Sequence, residues 1–308
     1  MAVFFDINNL PAFTKAAITI GTFDGVHHGH KAILKQLVDH AKETGGESIL
    51  LTFEPHPRKL LFPDQSLRLL TSLADKIELI EQEGVQHIVV VPFTKDFAAL
   101  SSEAYIQDFL VKKFHPESII IGYDHRFGHD RKGGIDMLKE YADTLGYKVF
   151  EISAQLIEEA AVSSTKIRKA LHDGHVEEAA KMLDRPYGLK GKVVKGAQIG
   201  RTIGFPTANI DPLSDDQIVP ANGVYAVKVW VDGISHNAML NIGIRPTVSN
   251  DMMLHIEAHL LHFNDDLYGK TVTVEFVARL RDEQKFPSLD ALKEQLQKDK
   301  EQTLTLLG

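Results

Sequence analysis

Two hydrophobic rhythms follow one another along this chain, and the point where the first gives way to the second constrains its architecture more than any other feature. In the first half, short apolar runs alternate with stretches whose apolar residues recur every three to four positions. Ile18-Thr19-Ile20, Ser48 to Phe53, His87 to Val91, Ser118 to Ile121 and Tyr147 to Ile152 read as five buried strands. Between them, Ile33, Leu34, Leu37, Val38 and Ala41 share one face of a helix from about Gly29 to Lys42. Ser72 and Asp75 have the spacing of a capping box for a helix reaching Glu83, and Ser102 to Phe114 and Ile135 to Thr144 read as further helices. Such alternation predicts a parallel sheet with crossover helices. Ligands of such sheets bind beyond the carboxyl ends of the strands, so the loops after Ile20, Phe53, Val91 and Ile121 are where chemistry is expected.

At Asp184-Arg185-Pro186-Tyr187-Gly188 the first rhythm breaks, and the residues beyond alternate with period two. Gly223 to Val231 and Ser235 to Leu240 flank Asp232-Gly233, a hairpin turn pair. His255 to Leu261 and Thr271 to Arg279 add two more strands before a last helix from about Leu289 to Leu304. A small antiparallel β-barrel covered by one helix is predicted. The expected division is 1–184 and 185–308, and 308 residues suit two cores better than one.

Composition removes several classes of function. Hydrophobic residues at 44% and charged residues at 25% exclude a disordered or low-complexity chain. Apolar runs such as Ile88 to Val91 are far shorter than the roughly 18 residues of a membrane span. Asp6 and Pro11 sit where a secretory signal would need an apolar core, and there is no cysteine for disulfides, zinc thiolates or thiol nucleophiles. A cytoplasmic location, with neither membrane nor nucleic acid as partner, is the expectation. The net charge of -8 makes any phosphate site a local feature. Oligomeric state is not legible.

The loop after the first strand, Gly21-Thr22-Phe23-Asp24-Gly25-Val26-His27-His28-Gly29-His30, holds three histidines in four positions. Three such histidines alone read most simply as a surface metal-binding cluster or as satisfied polar residues at a helix start. His27-x-Gly29-His30 at a strand-to-helix turn also sets two imidazoles beside a helix N-terminus, a place that favours phosphates. Ring N–H donors there can stabilise the charge on a phosphate under attack. The string resembles the HxGH nucleotidylyltransferase superfamily, and its longer form resembles the flavin-adenylylating branch. Two further segments carry the resemblance: Gly122-Tyr123-Asp124-His125-Arg126-Phe127-Gly128 and Ser163-Ser164-Thr165-Lys166-Ile167-Arg168.

The resemblance implies a Rossmann-like domain that holds ATP through Gly21, Phe23, Asp24, His27, His30, Ser164, Thr165 and Arg168, with His27 and His30 catalytic. It also implies that Phe53, His56, Pro57 and Asp124 line the flavin side. A rigid Glu54-Pro55-His56-Pro57 turn accounts for that loop equally well. His125 departs from the family, standing where many relatives carry an aromatic residue, which bears on flavin contact.

In the second half, Gly196 to Gly204 is glycine-rich and leads into Phe205-Pro206-Thr207-Ala208-Asn209. Glycine-rich hairpins in barrels need no ligand. Pro206 keeps the segment extended, however, so the oxygens of Thr207 and Asn209 face one side, and neutral oxygens suit Mg²⁺ that already carries phosphates. Alternation along His255-Ile256-Glu257-Ala258-His259 sets Glu257 on a face with the two histidines, as a base or as an outward strand carboxylate. These strings resemble the riboflavin kinase family. The resemblance implies that Gly200, Arg201, Gly204, Thr207 and Asn209 hold ATP, with Mg²⁺ on Thr207 and Asn209. It implies that Glu257 is catalytic and that Asn241 (in Asn241-Ile242-Gly243-Ile244-Arg245-Pro246-Thr247), Arg281 and Phe286 contact flavin.

Over nearly its whole length the chain thus resembles the bacterial bifunctional riboflavin kinase and FAD synthetase family. That implies riboflavin, FMN, FAD and ATP as substrates and products: ATP phosphorylates riboflavin to FMN, and a second ATP adenylylates FMN to FAD with release of pyrophosphate. The alternatives are one retained activity beside a binding or regulatory module, a transferase for another phosphorylated metabolite, or a flavin-sensing or nucleic-acid-binding regulator.

Overall fold

The computed structural model describes residues 1–152, 163–196, 199–246 and 252–308. Ala197, Gln198 and Thr247 of the segments quoted above lie outside the described residues. The chain forms two compact units, Met1–Ser164 and Thr165–Gly308.

In the first unit, six parallel strands form one sheet: β1 (Ala2–Phe4), β2 (Ala17–Ile20), β3 (Ser48–Glu54), β4 (His87–Pro92), β5 (Ser118–Gly122) and β6 (Lys148–Ile152), in the order β1-β4-β3-β2-β5-β6. The edge strand β1 is one more than the periodicity predicts, because three half-buried residues are too few to show alternation. Each central strand is apolar on both faces. Ile18, Ile49, Leu51, Val89 and Val91 join one core, while Ala17, Leu50, Ile88 and Val90 join the other with Leu34, Leu37 and Ala41 of helix α1 (His28–Thr44). Burying a leucine such as Leu37 stabilises by about 1.5–3 kcal/mol.

Helix α2 (Pro57–Leu61) follows β3, and α3 (Leu73–Gln82) is capped by Ser72, whose hydroxyl accepts from Asp75 N at 3.1 Å and donates to Asp75 Oδ2 at 2.7 Å. The expected box therefore closes side chain to side chain. A short helix α4 (Lys95–Ala98) precedes α5 (102–114), which widens into π geometry over Tyr105–Val111 and turns Tyr105, Ile106, Phe109 and Leu110 all inward. Helix α6 (Ile135–Leu145) ends at Gly146, in the left-handed region at φ 76°. The chain reverses its winding between β2 and β5, so the loop after β2 opens at the switch point of the sheet.

In the second unit, helices α7 (Ser164–His172) and α8 (Val176–Leu183) precede a closed six-stranded barrel, β10-β11-β8-β7-β12-β9. Its strands are β7 (Tyr187–Val194), β8 (Ala208–Pro212), β9 (Gly223–Val231), β10 (Ile234–Pro246), β11 (Met252–Leu260) and β12 (Thr271–Arg281). A one-turn helix α9 (Ile199–Thr202) lies in the glycine-rich stretch, and the last helix is α10 (Leu289–Leu307). By packing, the units divide between Ser164 and Thr165. The rhythm change near 185 falls where the barrel strands begin, and α8 just before it packs on the barrel, Glu177 Oε1 accepting from Arg279 N at 3.0 Å.

Candidate active sites

In the first unit, the loop after β2 is built from strained backbone. Phe23 and Val26 hold φ of 48° and 39°, a left-handed conformation that side chains adopt only when the surroundings impose it. The surroundings here are polar and buried. The Asp24 carboxylate, 4% exposed, accepts from Leu70 N at 2.9 Å and Thr71 N at 3.2 Å, and Thr71 Oγ1 accepts from Gly25 N at 3.1 Å. From α3, Lys76 Nζ donates to Thr52 Oγ1 at 2.9 Å and to Thr22 O at 3.2 Å. Ser164, the last residue of the first unit, donates from Oγ to Asp24 O at 3.0 Å. Thr165 and Arg168 follow on α7, in the second unit.

His27 caps α1, its Nδ1 accepting from His30 N at 3.4 Å. The rings of His27 and His30 stack at 3.7 Å with 15° between planes, and Phe23 packs on His30 at 4.9 Å. A Cβ on Gly21 would lie 3.0 Å from the Phe23 ring, so glycine there lets that aromatic lie flat. Burial, the neighbouring His27 and the Lys76 ammonium hold His30 well below the ordinary histidine range, so it is neutral at physiological pH. Burial also lowers Lys76, against the pull of Asp24 and Glu54.

Lys76, Leu70 and Thr71 are the residues the motif reading passes over. Lys76 had a signal: with Leu73, Ile77 and Ile80 it completes an i, i+3, i+4, i+7 stripe, an ammonium on an otherwise apolar face.

At the ends of β3 to β5 a cluster of aromatic rings packs in the core. Phe53 meets Phe93 at 5.5 Å and Phe97 at 5.7 Å, and Phe127 stacks on Tyr105 at 4.8 Å. His56 caps α2 through Nδ1, accepting from Arg58 N at 3.2 Å, and Pro57 opens that helix. Asp124 is exposed in the turn closed by His125 N to Gly122 O at 3.1 Å.

His125 Nε2 is enclosed with no partner, and burial pushes its imidazole down to about 4, with Arg131 and Arg126 acting the same way and Asp124 opposing. Because the folded value lies below that of the unfolded chain, the unfolded state takes up this proton first on acidification. The contribution is complete above about 6.5 and lost as pH falls toward 4. Melting followed by calorimetry is expected to show a smaller fall in Tm from pH 7 to pH 4.5 for His125→Phe than for the wild type; equal falls would refute it.

In the second unit, the strand register assembles the site. Glu257 of β11 stands directly opposite Asn209 of β8 on one side and Asn241 of β10 on the other. All three line a cavity of about 370 Å³ together with Gly200, Thr207, Arg281 and Phe286. Glu257 and His259 share the face turned to the cavity, while Ile256 and Ala258 are buried on the opposite one. His259 is lowered by burial and so neutral, and its Nδ1 donates to Pro206 O at 2.7 Å, tying β11 to the segment carrying Thr207. A Cβ on Gly200 would fall 2.2 Å from Phe205 O, and one on Gly196 would fall 2.1 Å from Asn209 Nδ2. Those glycines are required by close approach.

Arg201 is exposed and, like Gly204, does not line the cavity; Gly204 supplies the turn, at φ 86°. Arg281 lines it, but its guanidinium is engaged with Asp299. Glu283, missed by the motif reading, lies over Gly243 and accepts from Asn241 Nδ2 at 3.4 Å.

Two separate clusters of oxygen and imidazole groups, one at the loop after β2 and one along the barrel cavity, belong with a two-module transferase of phosphorus-containing groups. The sequence model described as FAD synthetase matches residues 10–166, and that described as Riboflavin kinase matches residues 183–307. The chain is 38% identical over 299 residues to the bifunctional riboflavin kinase/FMN adenylyltransferase of Listeria monocytogenes, covering 97% of this chain and 92% of that one. It is 38% identical over 285 residues to the protein of the same description in Escherichia coli K12, covering 92% and 90%. This chain belongs to the bifunctional riboflavin kinase/FMN adenylyltransferase family. A solved structure from Streptococcus pneumoniae described as a macrolide-efflux protein matches with TM-score 0.87 and 32% identity over 98% of this chain and 97% of that one, a likeness that carries the fold. Among the described residues no helix is long and apolar enough to cross a membrane.

Proposed function

We propose that the chain, working in the cytoplasm, converts riboflavin to FMN in the barrel module (185–308) and FMN to FAD in the parallel-sheet module (1–184), using ATP in both. The observation that carries the kinase reading is the row Asn209, Glu257, Asn241 along one cavity. Here the terminal ribityl hydroxyl of riboflavin attacks the γ-phosphorus of ATP, its proton passes to Glu257, and ADP leaves. The hydroxyl of Thr207 and the amide oxygen of Asn209 are hard neutral donors that fit Mg²⁺ carrying phosphates, which supplies charge neutralisation when bound. Gly200 lets backbone approach the nucleotide, and Asn241 and Phe286 orient the flavin.

In the other module, a phosphate oxygen of FMN attacks the α-phosphorus of ATP and pyrophosphate leaves. His27 and the neutral His30 donate ring N–H groups to the oxygens that gain charge, without requiring a covalent intermediate. Asp24 and Lys76 hold the loop in place, Ser164, Thr165 and Arg168 receive the departing phosphates, and Phe53, His56, Pro57 and Asp124 take the flavin. The test incubates the purified chain with riboflavin, ATP and Mg²⁺ and separates the flavins by chromatography. FMN followed by FAD is expected; neither appearing would sink the reading.

A further inference from the structure

We propose that Asp299, on the last helix, is a positioning residue of the kinase site, fixing Arg281 and through it the segment 281–286 over the cavity. This rests on the reading of that cavity as the riboflavin site.

Asp299 is 1% exposed, yet it is a carboxylate in the middle of a helix face. It accepts from Arg281 Nε at 3.0 and 3.1 Å and from Arg281 Nη2 at 2.8 Å, and Gln295 Nε2 donates to it at 2.8 Å. Thr303 Oγ1 anchors the same turn, donating to Asp299 O at 2.8 Å. Arg281 Nη1 donates to Asp282 O at 3.0 Å, and the guanidinium carbon lies 5.6 Å from the centre of the Phe286 ring. Arg281 thus serves as a bracket, held on one side by the helix and carrying an aromatic on the other.

The backbone explains why a bracket is needed. The pairing of β12 with β9 slips between Arg279 and Arg281, and residues 282–286 have no regular structure. No ladder fixes them, although Glu283, Gln284 and Phe286 all line the cavity. The helix lines it too, through Leu292 and Leu296, and Asp299 follows Leu296 by one turn. For stability alone, an apolar pair would serve as well as a buried ion pair, because two charges must lose their water. A bidentate carboxylate–guanidinium pair adds fixed geometry, which an apolar contact lacks.

The test compares full-length Asp299→Asn and Thr303→Val with the wild type, measuring KM and kcat for riboflavin phosphorylation, with adenylylation of supplied FMN as an internal control. Asp299→Asn is expected to raise the KM for riboflavin about tenfold while kcat stays within about twofold. Thr303→Val loosens the same turn but leaves the carboxylate in place, and its KM is expected to stay within about twofold. Equal KM changes in the two variants, or an unmoved KM in Asp299→Asn, would overturn the proposal. If Asp299→Asn fails to fold, Gln295→Leu removes one of the carboxylate's donors, and a raised or unchanged riboflavin KM there decides in the same way. A wild-type chain that makes no FMN would overturn the assignment of the cavity and the bracket with it. An active wild type with an unmoved KM in the variant would overturn the bracket alone.

Discussion

Glu257→Ala is expected to lower kcat for FMN formation by about 10²- to 10⁴-fold, the range for loss of a positioned general base. Conversion of supplied FMN to FAD should remain within about twofold of the wild type, since that chemistry belongs to the other centre. The size follows from the acid–base problem: an alkyl hydroxyl holds its proton tightly at neutral pH, and the Glu257 carboxylate borders the cavity in the row between Asn209 and Asn241. The variant should fold, because Ile256 and Ala258 on the opposite face of β11 are 3% and 0% exposed and keep the strand seated. Glu257→Gln keeps the shape and removes the proton acceptor, so it should be nearly as slow. Time courses of riboflavin, FMN and FAD separated by chromatography decide the matter, and rapid FMN formation by either variant would remove Glu257 from the mechanism.

His30→Ala reverses the pattern. FMN-to-FAD conversion should fall by about 10²- to 10³-fold, the cost of removing one donor from a site of developing oxyanion charge, with riboflavin phosphorylation unaffected. The stacked His27 and Phe23 rings hold His30 in a single orientation. Its neutrality also sets a pH signature. A histidine held well below 6.5 takes up a proton only in acid, so a step that uses the neutral ring should keep its rate as pH drops from 8 to 6.5. A step that needs the imidazolium would speed up over that interval. A folded His30→Ala chain that loses both reactions equally would contradict the division of labour.

What could be read from residues alone, and what could not, divides by the range of the contacts. The strands of the parallel sheet were legible because their apolar runs serve two cores at once, and the hairpin at Asp232-Gly233 because both residues take positive φ, 49° and 82°. The histidine loop was legible because its residues lie within ten positions of one another. The groups that hold that loop were not, because Asp24 reaches Leu70 and Lys76 reaches Thr22 across 46 and 54 residues. The pairing of Glu257 with Asn209 is likewise a matter of register between distant strands. Polar residues on apolar helical stripes were the overlooked clue. Lys76 on α3 and Asp299 on α10 both occupy positions where periodicity alone would ask for leucine.

The two sheets also differ in how they end. The barrel closes on itself, so none of its strands has a free edge, whereas the parallel sheet stops at β1, three residues pairing Ala2 with His87 through Phe4 with Val89. Behind that short strip lies β4, whose Ile88 and Val89 are fully buried. Three residues of β1 thus occupy the backbone groups that His87 to Val89 would otherwise present as an open edge.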